Sequence, residues 1–263
     1  YSVGDQVFLF GFSRGAYTVR SLSGLISAIG LLPKDNDYWF PEGFKLYREK
    51  EKKALKDKYK QVNKCIDIDI QMIGVFDTVG ALGVPVGFLN KLSQKKHSFH
   101  NVNVANNVLN AYQALAIDEH RKAFQPSIWT TSDPDKVLEQ VWFPGVHTNI
   151  GGGYDDDGLA NGALQWMIQK AEDLGLSFNK KYLKFYKPFA QDTLYESKKG
   201  MYKIAGDYPR PICSLINGNE ALDKSVYERW NSQDLEDKYR PKNIAAYYKN
   251  NNINPKNFQN LGE

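Results

Sequence analysis

Apolar runs and helical spacing alternate along the first two thirds of the chain. Val7-Phe8-Leu9-Phe10 is apolar at four consecutive positions, the pattern of a parallel strand buried on both faces. From Arg14 the spacing becomes helical, with Tyr17, Leu22, Leu25, Ile26 and Ile29 on one side. Gly30 suits the C-terminal cap and Pro33 blocks continuation. Residues 34–45 read as a loop, followed by a charged helix. A second strand lies within Ile66–Phe76 and runs into Asp77. After a loop over 80–87, the spacing of Val108, Leu109, Tyr112, Leu115 and Ala116 predicts a helix across 102–124. Val137–Phe143 reads as a third strand and 159–174 as a helix with Leu164, Met167, Ile168 and Ala171 facing inward.

This order predicts an α/β fold with a mainly parallel sheet. Beyond residue 180 the periodicity weakens. Tyr182, Leu183, Phe185 and Tyr186 fit a strand or a substrate-side segment, 223–239 is compatible with helix, and 250–260 reads as a loose tail. The expected division is a core over 1–180, with a charged helical insertion at 36–64, and an aromatic-rich extension over 181–263 packed on or beside it.

Composition narrows the class. The chain is 42% hydrophobic and 24% charged, which excludes a disordered segment. The net charge is only +4, and its main local source, residues 48–64, also carries Glu49, Glu51 and Asp57. That tract reads as a solvated helical face, with contact to a membrane surface as the alternative. No nucleic-acid motif is present, so no nucleic-acid partner is expected. Cys65 and Cys213 are too few for a disulfide scaffold. There is no secretory signal and no apolar stretch of spanning length, which leaves the compartment open between the cytoplasm and secretion.

Chemistry enters at Gly11-Phe12-Ser13-Arg14-Gly15, directly after the first apolar run. Strand, Gly-x-Ser-x-Gly and helix together are the setting of a nucleophilic serine on a strained turn. A serine hydroxyl needs a base, and the chain has four histidines. His147 follows the third predicted strand and enters Gly151-Gly152-Gly153, which makes it the leading base. His120 reads as a surface or helix-pairing residue, and His97 and His100 lie in a polar stretch. Asp77, just past the second strand, would emerge on the same edge and is the leading acid. Asp118 is its rival, although its spacing to Arg121 suggests an intrahelical pair. Asp155, Asp156 and Asp157 would hold the glycine turn or bind a cation. The backbone N–H of Arg14 is expected in the oxyanion hole, and its side chain in a structural salt bridge, with contact to an anionic substrate as the alternative. No cofactor is required.

The blocks Gly11–Tyr17, Phe76–Gly80, Asp118–Arg121, Phe143–His147 with Gly151–Tyr154, and Leu164–Met167 resemble the α/β-hydrolase family that includes type VI secretion phospholipase effectors. That resemblance implies a three-layer hydrolase fold, Ser13 as nucleophile, His147 as base, Asp77 as acid, and a lipid or other carboxylic ester as substrate. Strands and a loop that usually precede the nucleophile in that family have no counterpart before Val7. The expected partner at the exposed edge is therefore an upstream segment or another chain. The alternatives to an enzyme acting alone are one part of a split hydrolase or an interaction domain that retains the hydrolase shell.

Overall fold

The computed structural model describes residues 1–49, 52–80, 103–130, 133–198, 207–215 and 218–256. Five parallel strands form one sheet in the order of the chain: β1 (Phe8–Phe12), β2 (Met72–Phe76), β3 (Asn110–Ala116), β4 (Val137–Phe143) and β5 (Glu220–Leu222). Helices pack on both faces of this all-parallel sheet. α1 (Arg14–Ile29) packs on one face, where Ala16 and Ile26 meet Ile73, Val75 and Ala111. On the opposite face Met167 and Ala171 of α5 (Gly158–Asp173) meet Met72 and Tyr112. Between them in sequence lie α2 (Phe40–Arg48), α3 (Lys53–Val62) and the short α4 (His147–Gly151). α6 (Lys180–Leu183) is a single turn; α7 (Lys224–Asn231) and α8 (Lys242–Asn250) cover the β3–β4 side through Val226, Tyr227, Ile244 and Tyr248 against Leu115 and Trp142.

Several sequence expectations change. The helix expected across 102–124 is β3, the most completely buried strand of the sheet. Its Ala and Leu content favours helix, and burial on both faces removes the alternation that would mark a strand. Val7–Phe10 is not a fully buried strand. β1 pairs only with β2 among the described residues, and Phe10 is 40% exposed. The loop expected over 34–45 contains a 3-10 turn (Lys34–Trp39) and most of α2. Tyr182, Phe185, Tyr186 and Phe189 are exposed around and after α6, not in a strand. A helix ends at Asn250, the start of the expected loose tail over 250–260, and residues 251–256 lie outside any α-helix. The loop over 81–87 and both His97 and His100 lie outside the described residues. Cys65 and Cys213 are free thiols. No described helix is long and apolar enough to cross a membrane.

Candidate active site

Three strand ends bring the site together. β1 ends at Phe12, and Ser13 takes φ 58°, ψ −121°, a left-handed φ uncommon for a residue with a side chain, before α1 begins at Arg14. The turn is held by the Ser13 N–H donating to the Phe76 carbonyl at 3.0 Å. Gly11 makes it feasible, because a Cβ there would lie 2.6 Å from the Gly15 carbonyl oxygen. Gly15 itself faces open space, so close approach accounts for one glycine of the motif and not the other.

β2 ends at Phe76, and Asp77 follows with φ 41° and no solvent exposure. Its N–H donates to Ala114 O at 2.7 Å, which ties the turn to β3. β4 ends at Phe143, and after Pro144-Gly145 the chain enters α4 at His147, which is buried. Ser13 Oγ lies 2.8 Å from His147 Nε2, and His147 Nδ1 lies 2.6 Å from Asp77 Oδ2. An ionised carboxylate only accepts, so Nδ1 carries the proton and Nε2 is left to accept from the serine hydroxyl. Aromatic walls hold the imidazole, with the Phe12 ring at 4.6 Å and the Phe124 ring edge-on at 5.0 Å. A Cβ on Gly151 would lie 2.2 Å from the Phe12 ring, which explains why the turn after the histidine starts with glycine.

Asp77 has an unexpected partner. The Arg210 guanidinium donates to Oδ1 at 2.5 Å and to Oδ2 at 3.0 Å, and Oδ1 also accepts from Ala116 N–H at 3.1 Å. Burial alone would raise the Asp77 pKa. The adjacent Arg210 charge and the His147 hydrogen bond outweigh it and hold the carboxyl well below the ordinary range. No feature near Arg210 in the sequence marks it, since 133 residues separate it from Asp77 and the pairing exists only after folding.

The other candidates lie apart from this line. Asp118 Oδ2 accepts from Gly145 N–H at 2.7 Å and from the Tyr239 hydroxyl at 2.9 Å. Burial pushes its pKa up to about 6, against the lowering effect of those two donors. It forms no intrahelical pair with Arg121; that guanidinium grips Glu119, and the segment is not helical. His120 Nδ1 faces Asp207 at 3.1 Å. The Arg14 side chain is exposed and makes no ion pair among the described residues, contrary to the expected salt bridge. Its backbone N–H occupies the first turn of α1, where a helix has no acceptor of its own to offer. In the acidic run, Asp156 accepts from the Tyr195 hydroxyl and Asp157 from Asn161.

Residues 1–170 match the family described as the type VI secretion phospholipase effector Tle1-like catalytic domain. The chain belongs to this family. Ser13, Asp77 and His147 all lie in the part that matches the Tle1-like domain, whereas Arg210 lies beyond it. A further likeness is to the uncharacterized protein YEL023C of Saccharomyces cerevisiae, 26% identical over 141 residues, which are 49% of this chain and 19% of the yeast protein. Among solved structures, an uncharacterized protein from Pseudomonas aeruginosa is similar at 18% identity and a TM-score of 0.45, over 71% of this chain and 27% of that one. The Tle1-like chain thus spans about a fifth of the yeast relative and about a quarter of the bacterial one.

Proposed function

We propose that this phospholipase-family chain hydrolyses a lipid carboxylic ester through a serine nucleophile and an acyl-enzyme. The observation that carries the reading is the unbroken line Ser13 Oγ–His147–Asp77 at the carboxyl ends of parallel strands. Ser13 Oγ attacks the ester carbonyl carbon while His147 Nε2 takes the hydroxyl proton. The carbonyl electron pair moves to oxygen, and the Arg14 N–H at the positive end of α1 faces that developing charge. As the tetrahedral intermediate collapses, the carbon–oxygen bond to the alcohol breaks and His147 protonates the leaving oxygen. Water, deprotonated by His147, then attacks the acyl-serine and releases the acid. Asp77 holds the ring in the tautomer both halves need.

The lipid side of the reading rests on the family and on an exposed surface. Tyr182, Phe185, Tyr186 and Phe189 project into solvent, with Phe185 77% exposed, among Lys181, Lys184 and Lys187. Interleaved aromatic and cationic side chains suit the headgroup region of a phospholipid layer. A second reading, a hydrolase completed by another segment or chain, is favoured by the side of β1 that has no strand partner among the described residues and by its exposed Phe10.

The test is release of fatty acid from phospholipid vesicles and from a short soluble ester by the purified chain and by Ser13→Ala. Release from vesicles that disappears in the variant supports the proposal. Release from the soluble ester alone would confine the chain to small esters, and equal release by both proteins would remove Ser13 from the chemistry.

A further inference from the structure

We propose that Arg210 is a positioning residue for the triad, acting through Asp77, so that a segment beyond the family-matched region completes the catalytic site. The inference rests on the serine-dependent reading above.

The guanidinium makes four hydrogen bonds from complete burial. Besides both Asp77 oxygens, it donates to the Ala116 carbonyl at 2.8 Å and to the Phe124 carbonyl at 2.6 Å. It therefore ties the acid to the end of β3 and to the segment whose Phe124 ring walls His147. The backbone of Arg210 is held in turn. Asn243 of α8 donates to its carbonyl at 3.2 Å and to that of Ile117, and Tyr208 N–H donates to His120 O. Arg210 Nε is buried without a partner among the described residues. Such a group is expensive to keep for stability alone, because buried ion pairs rarely outdo apolar packing of equal volume.

Two separable effects follow. The planar fork fixes the rotation of the Asp77 carboxylate, and therefore which oxygen meets His147, in a way that a lysine ammonium cannot reproduce. The charge balances the ring's surroundings. The ionised groups around His147 are Asp77, Glu119 paired with Arg121, and Arg210, while Ser13, Phe12 and Phe124 are neutral. These four charges sum to zero. Removing Arg210 leaves one excess negative charge, which favours the protonated imidazole and withholds the base until higher pH. Asp118 lies on the same loop and is identical in every variant, so its titration cancels in the comparison.

The experiment measures the second-order rate of fluorophosphonate labelling at Ser13 against pH for the full chain, Arg210→Lys and Arg210→Met. In this reaction the serine oxygen–phosphorus bond forms, fluoride leaves, and His147 takes the proton. Arg210→Lys keeps the charge and loses the fork: its plateau rate falls by roughly 10- to 100-fold with the acid limb in place. Arg210→Met loses both, and its acid limb also moves up by about one pH unit. If the methionine variant does not fold, the lysine variant still decides through its plateau. Unchanged rates per active molecule, with only the amount of labelled protein reduced, would overturn the inference and leave Arg210 a structural residue. An unlabelled wild-type chain would instead overturn the reading of this chain as a serine hydrolase that acts alone, and this inference with it.

Discussion

Asp77 and Asp118 are two buried carboxyl groups just past neighbouring parallel strands, and their pKa values are displaced in opposite directions. Asp77 is clasped by a guanidinium and an imidazole and stays ionised far into acid. Asp118 is held by a backbone N–H and a tyrosine hydroxyl, and its pKa rises to about 6. In the sequence Asp77 is the candidate acid because it follows an apolar strand-like run, and Asp118 is its rival within a stretch read as helix; the structure puts both just past strands. A cation contributed from more than a hundred residues away separates them. Burial without a countercharge makes a poor permanent anion, and burial with one makes a fixed one.

The contrast can be broken by truncation. Asp77→Ala leaves the Arg210 guanidinium buried without its counterion and should cost about 3–5 kcal/mol of stability. Asp118→Ala removes two hydrogen bonds to neutral donors and should cost about 1–2 kcal/mol. Denaturant unfolding of both variants checks the ranking, and equal losses would mean that Arg210 does not depend on Asp77.

How much of this was legible in the sequence follows the same division. Ser13, Asp77 and His147 each follow an apolar run, so their placement at one sheet edge could be read from local pattern. Arg210 could not, because nothing between Pro209 and Pro211 signals a partner at residue 77. β3 was hidden for a related reason. Asn110–Ala116 has no alternation because both of its faces are covered, and its Gln113 is buried in a network with Thr78, Gln140 and Ser127 O. Polar residues satisfied only by tertiary partners read as a helix surface when those partners are unseen. The edge position of β1 was equally hidden, since an apolar run looks the same in a central strand and at an edge.

A similar contrast separates the two motif glycines. Gly11→Ala should destabilise the chain by roughly 1–3 kcal/mol, because its Cβ meets backbone that cannot yield easily. Gly15→Ala should be neutral or stabilising by up to about 1 kcal/mol, since it adds a better helix former in open space within α1. Thermal unfolding of the pair distinguishes a tight turn at Gly11 from a general need for glycine.

The smallest effect is the pH dependence of the two acids. A carboxyl with a raised folded pKa binds its proton more tightly when folded, so Asp118 costs stability as pH rises from about 4 through 6. Asp77 has the opposite sign, with its contribution present above about 4 and lost as pH falls further. Asp118→Asn should therefore gain about 1–2 kcal/mol relative to wild type between pH 4 and 7. A difference that stays flat across that range would show that Asp118 is not held protonated by the fold.

The most direct test of the account compares fluorophosphonate labelling of Ser13 in wild type, Asp77→Asn and Asp118→Asn at pH 7.5, with the labelled residue identified by mass spectrometry. The account predicts rapid wild-type labelling at Ser13, a loss of about 10³- to 10⁴-fold in Asp77→Asn, and a rate within about threefold of wild type in Asp118→Asn. A loss in Asp118→Asn as deep as in Asp77→Asn, or a near-normal rate in Asp77→Asn, would contradict it.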